Sequence, residues 1–261
     1  MKPMLSFQYK KTTNFLSIND LFALTIAIMI GGHMAYFFSD GNLWLRIFDR
    51  MTIPVLLISV GYNLGHKITW PIYWGFILIF LGSLFVPYGS PINILGVFML
   101  IKLFLHPLII FLSRSKILFW GAYSIIAFIS PFTDLLFEYG SVAVVLATAG
   151  WIIRNQDDIR HITTPAHFMI FAFFSHLWFT QILFEFSQTQ LICVAIGSAF
   201  IMWLLLDYKT LILTSLKRRP RDLIEKTCAL LAHKSLEIYV LHLLVFMIIY
   251  YLATTPPLLE L

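Results

Sequence analysis

Nine stretches of this chain are apolar for long enough to cross a lipid bilayer or nearly so: 20–38, 51–65, 70–87, 92–112, 117–132, 135–153, 163–184, 189–206 and 235–253. A span needs about 20 mostly apolar residues. Of the 261 residues, 59% are hydrophobic and only 12% are charged, about half the charged share of a soluble domain. Soluble packing cannot hide so much apolar surface at this length. The expectation is an all-α integral membrane protein, a polytopic helical bundle of about nine transmembrane helices forming one multi-pass membrane domain over residues 1–261. The second stretch is short, and reads as tilted, half-inserted or continuous with the polar residues before it. The gap at 65–70 is tight and 228–231 is apolar, so counts of eight or ten also stay open. Helix breaks are expected at Pro71, at Pro87-Tyr88-Gly89-Ser90-Pro91, at Pro131 and at Pro165. No cleavage pattern closes the first apolar run, which is read as a retained span.

The charges follow the same alternation. With the N-terminus cytoplasmic, the inner segments carry Lys2, Lys10, Lys11, Lys67, Arg114, Lys116, Arg154 and Arg160, and then Lys209, Lys217, Arg218, Arg219, Arg221, Lys226 and Lys234. The outer segments carry only Arg46 and Arg50. This is the positive-inside asymmetry of an inner (cytoplasmic) membrane protein. It assigns the formal net charge of +5 to topology. Residues 207–233 read as a basic cytoplasmic connector, in part a helix lying on anionic lipid. The cations lie at membrane edges and are not interleaved with aromatics on a soluble surface, so a nucleic-acid partner is not expected. Cys193 and Cys228 lack metal-ligand and C-x-x-C spacing, and no H-E-x-x-H or phosphate-cradling glycine loop is present. No metal is expected.

Arg46 and Arg50 are therefore the basic residues that topology does not explain. They stand four apart, on one helical face, within a polar island between the first two apolar runs that also holds Gly31, Gly32, His33, Asp40 and Asp49. His33 is thirteen residues into the first span, about 20 Å along a helix axis and toward the outer third of the membrane. An imidazole there suits general-base work, or else a hydrogen bond at the interface. Paired guanidinium groups suit a phosphate, a carboxylate or a thioester oxygen, or else an ion-pair cluster with Asp40 and Asp49. Pro54 is expected to restrict or kink the start of the second span. Lys102 sits mid-span with His106-Pro107 one turn on, at a cost of about 3 kcal/mol on insertion scales. It fits a cavity that receives phosphates, or a snorkelling position. Asn93, Glu138, Tyr139, Glu237 and His242 add polar groups within or beside spans. His167 and His176 are nine apart and point to opposite sides of one helix, which favours separate interhelical hydrogen bonds.

From His33 to Gly61 the chain resembles the TraX family of conjugative-pilin acetylation proteins. The likeness rests on His33, Trp44-Leu45, Arg50, Ile53-Pro54-Val55-Leu56 and Gly61-Tyr62-Asn63-Leu64. It continues at Asn93-Ile94-Leu95, at Tyr139-Gly140 and at Ile238-Tyr239-Val240-Leu241-His242-Leu243. This last pattern is similar to that of broader membrane acyltransferases, including those that O-acetylate surface glycans. One position departs: the family aspartate before the histidine is Gly32 here, and Asp40 or Asp49 is the available substitute.

The resemblance implies transfer of an acetyl group from acetyl-CoA to an amine, such as a pilin N-terminus, or to a hydroxyl. It implies His33 as catalytic base or acyl carrier and Arg46, Arg50, Asn93, Tyr139 and His242 as substrate contacts. The cytoplasmic polyanionic donor would meet Lys102 and His106. The partners so implied are the bilayer and a pilin subunit or surface glycan. Two other classes stay open at this point: a transporter or lipid-handling protein with a polar path, and a non-catalytic assembly protein descended from an acyltransferase.

Overall fold

The computed structural model describes residues 17–39, 43–65, 67–86, 92–217 and 223–254. The lysines at 2, 10 and 11, Asp40, the 87–91 turn and the arginines at 218, 219 and 221 lie outside the described residues. In chain order the helices are α1 (Ile18–Phe38), α2 (Leu43–Tyr62), α3 (Trp70–Ser83), α4 (Ile94–Leu112), α5 (Lys116–Phe128), α6 (Ser130–Thr133), α7 (Val142–Arg154), α8 (Gln156–Ile159), α9 (Pro165–Phe184), α10 (Gln188–Leu206), α11 (Tyr208–Lys217), α12 (Leu223–His233) and α13 (Ser235–Thr254). Among the described residues there is no strand, only an isolated bridge between Ile92 and Phe137.

Several helices begin where short polar side chains cap them. Ser17 and Asp20 exchange side-chain and backbone hydrogen bonds at the start of α1, and Ser187 and Gln190 do the same for α10. Thr164 caps α9, whose first residue is Pro165, and Pro71 stands in the first turn of α3. Such caps satisfy the backbone N–H groups that a helix leaves unpaired at its start.

Among the described residues, five helices are long and apolar enough to cross a membrane: α1, α4, α9, α10 and α13. Their outward faces are greasy. Leu24, Phe104, Phe174, Trp203 and Leu252 are all exposed, whereas His33, Asp49, Arg50 and His176 are buried. This inversion of the soluble pattern is what lipid selects: apolar groups face the tails and polar groups turn to one another.

The second and sixth stretches differ from the sequence expectation. The second helix starts at Leu43 rather than at 51, so Arg46, Asp49 and Arg50 lie inside α2. Their mutual pairing and aromatic partners allow the helix to carry them. The helix of the sixth stretch, α7, starts at Val142 rather than at 135. Tyr139 and Gly140 both have positive φ, 68° and 50°, and this left-handed step prevents the 134–141 segment from continuing as helix.

α2 is the central element and packs against α1, α4, α7 and α10. Its contact with α7 is backbone to backbone. A methyl on Gly61 would overlap the Ala147 carbonyl, and one on Gly150 would overlap that of Ile58. Small residues permit the dispersion contact that holds membrane helices together. The 207–233 connector is not wholly peripheral: α12 packs along α1, and Tyr208 and Leu211 of α11 are buried. Tyr208 stacks on Tyr62 at 4.3 Å between ring centroids, at the C-terminal end of α2.

Candidate functional site

The polar residues of α2 face the last turns of α1, where Gly32 allows them in. A Cβ built on Gly32 would stand 2.8 Å from Cβ and 2.9 Å from Cγ of Asp49, closer than side chains approach. The carboxyl group of Asp49 thus occupies the space that a side chain at position 32 would take. Of Asp40 and Asp49, the two acids considered from the sequence, Asp40 lies outside the described residues and Asp49 stands at this place. The neighbouring Gly31 has open space around it.

Asp49 also organises the arginines. Its Oδ2 lies 3.8 Å from Arg46 Nη1 and 3.5 Å from Arg50 Nη2. Arg50 is held between two rings, with its guanidinium carbon 5.0 Å from the Tyr139 centroid and 4.4 Å from that of Phe184. Arg46 stands over Tyr36 at 4.9 Å. Cation–π contacts of this kind strengthen as water is excluded. Asp49 is 1% exposed and Arg50 8%, yet Asp49 Oδ1 and Arg50 Nε have no hydrogen-bond partner among the described residues.

The segment after α6 supplies the opposite wall. Glu138 accepts a hydrogen bond from the Ile94 N–H at 2.6 Å, while the Ile92 N–H donates to the Leu136 carbonyl and the Ile92 carbonyl accepts from the Glu138 N–H. The left-handed Tyr139 is thereby tied to the start of α4 and laid over Arg50. Burial pushes the Glu138 carboxyl up to about 7, and it raises Asp134 as well.

His33 faces the same cavity of about 180 Å³, which Arg46, Asp49, Arg50, Glu138 and Tyr139 also line. Its Nδ1 lies 2.7 Å from Nε2 of His242 on α13. Tyr239 stands edge-on to both imidazoles, at 5.8 Å from His33 and 5.6 Å from His242. Five of the residues singled out in the sequence, His33, Arg46, Arg50, Tyr139 and His242, therefore converge from α1, α2, α13 and the 134–141 segment.

Asn93 is placed differently. Its Oδ1 accepts from the Leu95 and Gly96 N–H groups at 3.0 and 3.3 Å, so it is the N-cap of α4 and not a wall of the cavity. The physical reason is local: an asparagine before an apolar run meets the unpaired N–H groups of that run first.

Lys102 and His106 line a second cavity of about 460 Å³ with Tyr62, Trp151, Arg154 and Asn155. Lys102 Nζ donates to the Asn63 carbonyl at 3.5 Å, and Arg154 Nη1 to that of Tyr62 at 2.9 Å. Arg50 and Asn63 are thirteen residues apart, about 20 Å along a helix axis, so the two polar centres sit at opposite ends of α2. A third, mostly apolar cavity measures about 200 Å³. It shares Lys102 with the basic cavity and reaches Tyr239, which abuts His33.

Asp134, Glu138 and Phe184 at the first centre, and Arg154 at the second, were not among the expected site residues. Glu138 was visible as an acid inside an apolar stretch; Phe184 had no signal. His176 makes the interhelical bond that was expected, whereas His167 bonds the cap of its own helix, because the Thr164 hydroxyl is the polar group nearest to it. His176 Nε2 donates to the Arg50 carbonyl at 3.1 Å, and His167 bonds the Thr164 hydroxyl at 3.0 Å. Among the described residues no group of three His, Cys, Asp or Glu is placed to hold a metal ion.

The fold and this centre define a multi-helix membrane protein with an ionised, histidine-containing site inside its bundle. Neither a protein-family model nor a curated protein nor a solved structure matches the chain.

Proposed function

We propose that this chain is a membrane-embedded acyltransferase that moves an acetyl group from acetyl-CoA to an amine or hydroxyl at the far face of the bilayer. The observation that carries the reading is the convergence of His33 with Arg46 and Arg50 on one cavity. An acyl transfer needs a base on the acceptor and positive donors on the developing oxyanion, and these groups supply both. The acceptor nitrogen or oxygen bonds to the thioester carbonyl carbon as its proton passes to His33. The arginine N–H groups receive the negative charge on the carbonyl oxygen. The C–S bond then breaks, and the imidazolium returns the proton to the departing CoA thiolate.

The two further cavities support a route for the donor. CoA carries several phosphate charges, which match Lys102, His106 and Arg154 at the far end of α2. Its uncharged arm fits the apolar cavity that leads from Lys102 to Tyr239.

The topology that goes with this function has nine spans, with α2, α3, α5 and α7 crossing besides the five long helices, and the N-terminus in the cytoplasm. The basic cavity then opens inward, where CoA is made, and the His33 cavity outward in the inner membrane. The acceptor is a pilin N-terminus or a surface glycan. The Asp49 carboxyl group in the space that a side chain at position 32 would take supports the catalytic reading over a non-catalytic descendant. Mass spectrometry of pilins and surface glycans from cells with and without this protein tests the reading. Loss of an acetyl group from one such acceptor is expected; identical acetylation in both would overturn it.

A further inference from the structure

We infer that His242 is a positioning residue that fixes which nitrogen of His33 carries the proton. In a neutral His242, Nε2 can only accept a hydrogen bond. His242 Nδ1 lies 2.8 Å from the Ile238 carbonyl oxygen, so Nδ1 is the donor and a neutral His242 has its lone pair on Nε2. That Nε2 is 2.7 Å from His33 Nδ1. His33 Nδ1 must then donate, and the lone pair of a neutral His33 is on Nε2. The ring centroids are 5.0 Å apart with only 25° between the planes. At that separation a 2.7 Å nitrogen–nitrogen contact joins the ring edges, so the bond runs close to both ring planes, as a hydrogen bond between imidazoles requires.

Two aromatic rings brace the relay. Tyr239 stands edge-on to both imidazoles, and Phe246, one turn beyond His242, stands edge-on to it at 5.5 Å with an 81° angle. The carbonyl of Ile238 belongs to the same helix as His242, so the orientation of the first ring is set within α13 and transmitted to α1. A base oriented by one further group is the arrangement that activates acyl-transfer sites. Here the orienting group is a second histidine, itself oriented by backbone. The role of His33 as a base rests on the acyltransferase reading, whereas its tautomer rests on geometry alone.

The test reads the tautomer without any reaction. Full-length protein labelled with ¹⁵N-histidine is placed in lipid nanodiscs at pH 8, and long-range ¹H–¹⁵N correlations are recorded, the His33 signals being assigned by their loss in His33→Asn. The expected pattern is protonated Nδ1 and unprotonated Nε2 at His33. In His242→Leu the proton moves toward Nε2, and in His242→Gln, which keeps an acceptor oxygen where Nε2 stood, the wild-type pattern returns. A wild-type His33 protonated on Nε2, or a His242→Leu spectrum unchanged at His33, would overturn the inference. Acetyl transfer from acetyl-CoA measured on the same samples separates the two claims. The expected tautomer without transfer sustains the positioning role and overturns the acyltransferase reading.

Discussion

The Arg50 carbonyl accepts a hydrogen bond from His176 Nε2 at 3.1 Å, and Pro54 is the reason it is available. In an α-helix the carbonyl of residue 50 would bond the N–H of residue 54, but proline has none. His176 thus reaches across from α9 to fill the gap that α2 leaves at its most highly charged turn. It also anchors the backbone of the arginine that lies between Tyr139 and Phe184. A double-mutant cycle measures this substitution of one donor for another. His176→Leu is expected to cost about 1–3 kcal/mol, the penalty for an unsatisfied buried carbonyl. In a Pro54→Ala background, where the backbone N–H returns, the cost falls to less than half. Equal costs in both backgrounds, read from thermal unfolding in detergent, would contradict the relationship.

Adjacent glycines make an internal control for the α1–α2 contact. An added methyl at Gly31 meets nothing within 4 Å, whereas at Gly32 it meets Asp49 at 2.8 Å. Gly31→Ala is expected to be neutral or to stabilise by about 0.5–1 kcal/mol, the usual gain from replacing a helical glycine. Gly32→Ala is expected to destabilise by about 1–3 kcal/mol, the range for overpacking. Differential scanning of the two variants beside wild type checks the order.

The same contact predicts a transposition. Gly32→Asp alone places two carboxyl groups in one space, and Asp49→Gly alone leaves Arg46 and Arg50 without the acid between them. The double variant Gly32→Asp/Asp49→Gly restores one carboxylate facing both guanidinium groups. It is expected to recover stability and acetyl transfer beyond either single variant. A double variant no better than the worse single one would show that the position of the carboxylate backbone, and not only its charge, is fixed.

Glu138 gives the stability a pH dependence with a defined sign. Its carboxyl titrates at about 7 in the folded protein against an ordinary value of 4.5. The folded state binds the extra proton between those limits, so the contribution is complete below about 4.5 and is lost as pH rises through 7. The loss amounts to at most about 3 kcal/mol, from 1.36 kcal/mol per pH unit. Wild type is expected to melt at lower temperature at pH 8 than at pH 5, and Glu138→Gln to flatten that difference while still accepting from Ile94. Parallel profiles for the two proteins would count against it.

The membrane class and the cores of the long helices were legible in the sequence because a span is a local property: about twenty apolar residues and a proline or cap to start them. Pro71 and Pro165 stand in the first turns that their positions announced. The start of α2 was less visible. Arg46, Asp49 and Arg50 resemble a loop until the rings of Tyr36, Tyr139 and Phe184 come from three other parts of the chain to receive the arginines. His33, Arg50, Tyr139 and His242 lie far apart in the chain, and nothing in their spacing brings α1 against α13. Asn93 caps α4 and stands apart from the His33 cavity, because capping and substrate binding draw on the same side-chain chemistry and the sequence does not tell them apart. Asp134, Phe184 and Arg154 join their sites through packing alone, and no local pattern marks them.

The central claim is that His33 is the base of an acetyl transfer. The measurement is transfer of radiolabelled acetyl from acetyl-CoA to membrane acceptors in vesicles holding wild type or His33→Ala at matched expression. The account predicts label with wild type and a loss of about 10²–10⁴-fold in the variant, the contribution of a general base. Equal labelling by the two proteins would contradict it.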